Sequence, residues 1–208
     1  MHSYIVGKTA EAFCDVIIKE EPAFFDDIES IREIKDPGEK RRKVMEFARK
    51  AGLYHDVGKI YFIDLYSRTT RQWFEEEYEM AHLHTTSGAR CLENRASTRQ
   101  FAMIALGHHS WYDGSRGYPE DYRRLECNDR QMVDVIGLMD WLDNVTYTAQ
   151  LYTGVEKTFD QAVEEAVELE GKRFSPLLTV WLRDNLMKER LKEVILEGRR
   201  EVFLNYIQ

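Results

Sequence analysis

Six histidines carry the chemistry of this sequence, and they do not fall singly on unrelated segments. His55 and Asp56 stand side by side, His82 and His84 follow as a His-x-His, and His108 and His109 form a doublet. Asp134, Asp140 and Asp143 come next, while His2 opens the chain. A neutral imidazole is the commonest metal ligand near physiological pH. A carboxylate beside it can hold a hard-to-borderline cation, and its two oxygens can bridge two cations. Lys59 lies three residues after Asp56 and four after His55, so on a helix it shares their face. Its ammonium could then meet the anionic oxygens of a phosphate held by a metal.

His82 and His84 are two apart and point in different directions on a helix, so only one of them faces such a site. Gly88, four residues after His84, would let another helix come close, which favours His84 and leaves His82 at the solvent or core edge. His108-His109 sit where a helix gives way to a loop, and a backbone leaving helical geometry can aim both rings inward. Asp140 and Asp143 share a face of a helix that Leu138, Met139, Leu142 and Val145 make largely buried. A buried aspartate without a partner is costly, and a cation relieves that cost. Asp140 is the candidate ligand, and Asp143 reads as a capped or hydrogen-bonded core residue.

Helices must position these groups. Residues 3–20 carry Ile5, Val6, Ala10, Phe13, Cys14 and Ile17 at helical spacing. Phe24, Phe25, Ile28, Ile31 and Ile34 mark a short helix within a polar connection at 21–38. Asp36-Pro37-Gly38-Glu39 reads as a helix start, and that helix runs through Val44, Phe47, Ala48, Ala51 and Leu53 into His55-Asp56. Residues 60–77 read as an irregular connection ending in a solvated run, Glu75-Glu76-Glu77. Periodicity resumes at about 78–93 and 97–108; 110–128, with Gly114, Gly117 and Pro119, is the longest loop, and 129–152 is the next helix. Thr158 with Gln161 forms a capping box for a helix to about 169, Ser175-Pro176 caps another, and a long amphipathic stretch runs to about 206. No alternating strand pattern appears. The expected class is all-α: a single helical bundle with a C-terminal helical extension, spanning 1–208.

At 208 residues the chain can bury a core of its own as one domain. With 43% hydrophobic and 32% charged residues it has the composition of an ordinary soluble globular protein. A net charge of −8 disfavours general binding to a DNA or RNA backbone, though metal ions in a site would still attract an anionic substrate. Cys14, Cys91 and Cys127 are widely spaced without a CxxC, which points to a reducing cytosol and away from a disulfide framework or zinc ribbon. No stretch has the length of apolar sequence a membrane span needs, and no signal peptide is visible, so the expected location is cytoplasmic. With a candidate ligand at position 2, the chain begins abruptly and reads as one domain cut from a longer protein.

Taken in order, His55-Asp56-x-Gly58-Lys59, His84-x3-Gly88, His108-His109-x3-Asp113-Gly114-x2-Gly117-Tyr118-Pro119 and Asp140-x2-Asp143-x2-Thr146 resemble the HD-GYP branch of the HD metal-dependent phosphohydrolases. The resemblance runs from Met1 to about Pro176, with His2-Ser3 matching the family's upstream histidine and Ser175-Pro176 its late proline-containing helix start. It implies an all-helical phosphodiesterase with two or three bridged divalent metals, often iron or manganese; histidine and carboxylate suit nickel and zinc as well. On this resemblance His2, His55, Asp56 and Asp140 serve one metal, and Asp56 bridges to a second held by His84, His108 and His109. A water bridging the metals is the implied nucleophile, and Lys59 would bind the scissile phosphate and offset charge in the transition state. Members hydrolyse cyclic dinucleotides, chiefly cyclic di-GMP, usually behind sensory or receiver domains. The Gly-Tyr-Pro loop is associated with partner contacts, which makes Gly117-Tyr118-Pro119 an expected surface for a signalling domain.

Four departures bear on substrate and metal count. The family's glutamate after the histidine doublet is Ser110, and the loop carries one extra residue around Ser115-Arg116. The arginine that touches the guanine nucleotide after the final Asp-containing helix has no counterpart in Tyr147-Thr148-Ala149-Gln150. The acid that supplies a third metal would precede residue 1, which favours two metals. Arg116, with its planar fork, is the nearest candidate to supply the missing nucleotide contact. The expected function is hydrolysis of a cyclic dinucleotide such as cyclic di-GMP. Its alternatives are an HD phosphohydrolase for another nucleotide or phosphoester, and a degenerate metal-binding signalling module.

Overall fold

A computed structural model of the chain describes residues 1–67, 71–147 and 157–206. In chain order its helices are α1 (His2–Glu20), α2 (Glu29–Arg32), α3 (Pro37–Tyr54), α4 (Ile63–Tyr66), α5 (Glu75–His82), α6 (His84–Glu93), α7 (Ala102–Gly107), α8 (Arg130–Val145), α9 (Phe159–Glu168), α10 (Pro176–Thr179) and α11 (Asn185–Tyr206). Among the described residues only an isolated bridge between Glu170 and Phe174 has β character, so the class is all-α. No helix in the described residues is long and apolar enough to cross a membrane.

The predicted stripe of α1 is buried, and the helix packs on α3, α8 and α11. Asp36 caps α3 by accepting from the Glu39 N–H at 2.7 Å, with Pro37 in the first turn. Met132, Val133, Val135, Ile136, Leu138, Met139, Trp141 and Leu142 are buried around nearly the whole of α8, as befits a helix at the centre of a bundle. Buried Asp15 on α1 pairs with Arg41 at 2.6 Å and Arg190 at 2.9 Å, tying α3 and α11 to the same point. Thr158 and Gln161 form the expected capping box on α9.

The structure departs from the sequence expectations in four places. The stretch 60–77 is not irregular throughout: a 3-10 helix spans Val57–Phe62 and leads into α4. Glu77 is not simply solvated. It accepts from the Phe74 N–H at 2.8 Å and pairs with Arg71 at 2.7 Å, satisfying an otherwise unpartnered donor at the start of α5. The expected helix at 78–93 is broken at Leu83. There the carbonyls of Ala81, His82 and Leu83 accept from the side chains of His84, Thr85 and Thr86, and the chain restarts as α6. The helix expected over 129–152 ends at Val145, and Thr148, Ala149 and Gln150 lie outside the described residues.

Candidate metal centre

Three histidines reach the centre by one device. The Nδ1–H of His55 donates to Gly52 O at 2.7 Å, that of His84 to Ala81 O at 2.6 Å and that of His108 to Ala105 O at 3.0 Å. Each carbonyl lies three residues earlier, in the last turn of a helix, where carbonyls lack partners along the helix. A carbonyl can only accept, so Nδ1 carries the proton and Nε2 turns its lone pair inward. The approach of Asp56 to His84 depends on Gly58. A Cβ there would lie 1.9 Å from His84 O and 2.6 Å from Gly88 N, so the two glycines let the 3-10 helix lie directly on α6.

Asp56 is the hinge of the arrangement. Its Oδ2 lies 3.3 Å from His55 Nε2 and 3.6 Å from His2 Nε2, while its Oδ1 lies 3.3 Å from His84 Nε2 and 3.8 Å from His108 Nε2. Asp140 closes the first side, with Oδ1 at 2.9 Å from His2 Nε2 and 3.4 Å from His55 Nε2. Its Oδ2 is 3.8 Å from His109 Nδ1. Two quartets result: His2, His55, Asp56 and Asp140, and Asp56, His84, His108 and His109.

These donors fit cations. His55 Nε2 and Asp56 Oδ1 are buried without a hydrogen-bond partner, and His84 Nε2 faces His108 Nε2 at 3.5 Å with both protons already committed to carbonyls. Orphaned lone pairs converging in this way are what a divalent ion would relieve. The metal-free chain meets the same field with protons. Burial lowers His55, but Asp56 and Asp140 outweigh it and raise the imidazole to about 10; His2 is raised in the same way against burial by Asp140 and Asp143. Burial also opposes charge on Asp56 and Asp140, yet the histidines around them, with Lys59 beside Asp56, hold both well below the usual carboxylate range. On the other side burial prevails: His84 is lowered, His108 falls to about 3 and His109 lies well below its ordinary value, so these rings are neutral.

The family model for the HD domain matches residues 2–148. The chain belongs to the HD domain family. Its ordered blocks and its Gly117-Tyr118-Pro119 loop resemble those of the HD-GYP branch. The cyclic di-GMP phosphodiesterase of Thermotoga maritima is 32% identical over 124 residues, which is 59% of this chain; the chain spans about a third of that relative's length, 32% of it being matched. The matched HD domain contains both quartets and stops before α9, α10 and α11.

Around the quartets, Lys59 sits with its ammonium 2.5 Å from Asp56 Oδ2 and 5.3 Å from the Tyr66 ring centre. His82 is exposed and stacks on Tyr118 at 3.8 Å, outside both quartets, while Tyr118 also approaches His109 at 4.6 Å. Gly117 makes that loop fit: its φ is +92°, and a Cβ would meet His109 O at 2.2 Å. Ser110 donates to Tyr118 O at 3.3 Å and holds the loop instead of offering a carboxylate. Asp143 is the hydrogen-bonded core aspartate expected, but it serves the site: Oδ2 accepts from His2 Nδ1 at 2.7 Å, and Oδ1 accepts from Arg199 at 2.7 Å.

A cavity of about 390 Å³ opens over the quartets, with Lys59, His84, His109, Asp140, Trp111 and Arg173 among the residues that line it. Arg116 does not line it. This exposed residue, 5.3 Å from the Trp111 ring centre, borders a separate depression with Ser115 and Glu120. Sequence reasoning missed Arg173 and Arg199. Both come from the part of the chain beyond the matched HD domain, and the only signal for either was a basic residue on a turn or helix face.

Proposed function

We propose that this HD domain is a metal-dependent phosphohydrolase that cleaves a phosphodiester, with a cyclic dinucleotide such as cyclic di-GMP as substrate. The observation that carries this reading is the division of Asp56, one carboxylate oxygen facing each half of a histidine-carboxylate cluster beneath a cavity. The relative from Thermotoga maritima, named a cyclic di-GMP phosphodiesterase, supports the substrate class. His2, His55, Asp56 and Asp140 would hold one divalent ion, and Asp56, His84, His108 and His109 a second, with iron or manganese ahead of nickel or zinc. When bound, such ions supply Lewis-acid stabilisation of phosphate charge and a nucleophile from water near neutral pH.

The chain's own groups do the rest. Lys59 stands at the cavity between Asp56 and solvent, where its ammonium can share the scissile phosphate and offset charge that grows in the transition state. Carbonyl-anchored imidazoles keep the donor atoms aimed without reorganisation. Tyr118 and the aromatic walls limit water near the reacting phosphate. The Gly117-Tyr118-Pro119 loop, with its exposed neighbours Gly114 to Arg116, is the surface we assign to a signalling partner.

The test is turnover of bis-p-nitrophenyl phosphate beside cyclic di-GMP by anaerobically purified protein of measured metal content. Both are expected to be cleaved, and Lys59→Ala should keep its metal and its melting temperature while losing roughly 10²–10³ in kcat. Turnover of the generic ester alone would move the substrate to another phosphoester. Full metal without turnover of either would leave a binding module and overturn the reading.

A further inference from the structure

Arg173 sits on the turn after α9. The Tyr112 N–H donates to Arg173 O at 3.1 Å and the Asp113 N–H to Lys172 O at 3.0 Å, so the backbone is stitched to the loop that follows the histidine doublet. Its guanidinium rests among aromatic rings, 5.4 Å from the Trp141 centre, 5.3 Å from Phe174 and 6.0 Å from Trp111. Those rings direct it towards the cavity that also holds Lys59 and Asp140.

What sets Arg173 apart is that it is half-buried at the cavity without a counter-charge. Arg41, Arg124, Arg190 and Arg199 each lie on a carboxylate. The guanidinium of Arg173 has no carboxylate or hydrogen-bond partner among the described residues. Burial disfavours its charge, with Asp140 offsetting this only from a distance, yet a guanidinium stays protonated at neutral pH. Cation–π contacts steady it without neutralising it. A desolvated cation of this kind calls for an anion.

We propose that Arg173 is a specificity-determining residue that binds a second anionic group of the substrate, the phosphate that is not being cleaved. This rests on the phosphodiesterase reading above. In a cyclic dinucleotide one phosphate would lie over the metal cluster with Lys59, and the other would meet Arg173 on the wall of the same cavity. The planar fork can take two phosphate oxygens at once, whereas a lysine offers only a point charge. Arg173 thereby does what Arg116 does not, from a different segment of the chain.

The experiment compares Arg173→Gln, Arg173→Lys and Arg116→Ala with the wild type, each matched for metal content. Arg173→Gln is expected to raise KM for cyclic di-GMP roughly 10- to 100-fold, the worth of a hydrogen-bonded charge contact. It should leave both constants for the single-phosphate ester bis-p-nitrophenyl phosphate within about two-fold. Arg173→Lys should fall between, and Arg116→Ala should change neither substrate. Dissociation constants for cyclic di-GMP, read from tryptophan fluorescence, supply the same comparison where turnover is absent. If the wild type cleaves neither substrate, the phosphodiesterase reading fails by itself, and weaker binding by Arg173→Gln still supports the contact. Equal effects on both substrates, unchanged cyclic di-GMP binding, or no binding by the wild type would each overturn the role of Arg173.

Discussion

On one side of Asp56 stand His2, His55 and Asp140; on the other stand His84, His108 and His109. The first side sets two carboxylates against two imidazoles, and the carboxylates raise both imidazoles above their ordinary value despite burial. The second side sets three neutral rings against one shared oxygen. Their supports differ as well. On the second side, backbone carbonyls three residues earlier orient His84 and His108. His2 is oriented by Asp143, which is held in turn by Arg199 of α11. Both halves thus use local helix ends, for His55 as for His84 and His108, and only the first adds a contact between distant segments, through His2. A cation on the first half must also displace the proton that its carboxylates favour on His55, a cost the neutral rings avoid.

The largest expected effect is at the shared residue. Asp56→Ala should take metal content from about two ions per chain towards none, whereas His2→Ala and His84→Ala should each remove about one. Elemental analysis of the three variants decides it, and two full equivalents in Asp56→Ala would end the idea of a shared carboxylate.

A smaller effect should separate the supports. Arg199→Gln leaves Asp143 without its cation, so the ion beside His2 should bind roughly 10- to 100-fold more weakly while the ion beside His84 is unaffected. Competition with a chelator measures both affinities. If His2→Ala and Arg199→Gln add in the double variant instead of overlapping, Arg199 is not acting through His2.

The smallest effect concerns a carboxylate whose nearby cation, Arg130, does not outweigh its burial. Burial raises Asp27 to about 6, only partly offset by the N–H of Gln131, in contrast to the lowered Asp56 and Asp140. An unfolded aspartate titrates near 3.9, so between about 4 and 6 the folded chain binds the extra proton and stability from this group falls as pH rises. Asp27→Asn should therefore gain on the wild type across that window, by a few degrees of Tm at most for a partly exposed group. A Tm gap that stays flat or narrows from about pH 4.5 to 7 would remove Asp27 as the cause.

Much of this protein was legible in its residues because the relevant signals are local. Periodicity located α1, α3, α8 and α11, and Asp36-Pro37 and Thr158-Gln161 marked helix starts through bonds closed within four residues. Gly88 favoured His84 over His82 because a missing side chain records a close approach, and Gly58 meets it there. The break at Leu83 was not legible, since Thr85 and Thr86 bond to preceding carbonyls only once the His84 ring has a cluster to face. Nor was the pairing of His2 with Asp143, 141 residues apart, or of Arg199 with Asp143, 56 apart. Arg116, at the extra position of the loop and with a planar fork, is the candidate the sequence offers for the nucleotide contact, but its side chain borders a separate depression. Arg173 reaches the cavity from another segment, through backbone bonds to Tyr112 and Asp113. Residue types and spacing determine which groups can take part and on which helix face they stand. Which distant charges meet, and which are left unmet, depends on how those helices pack.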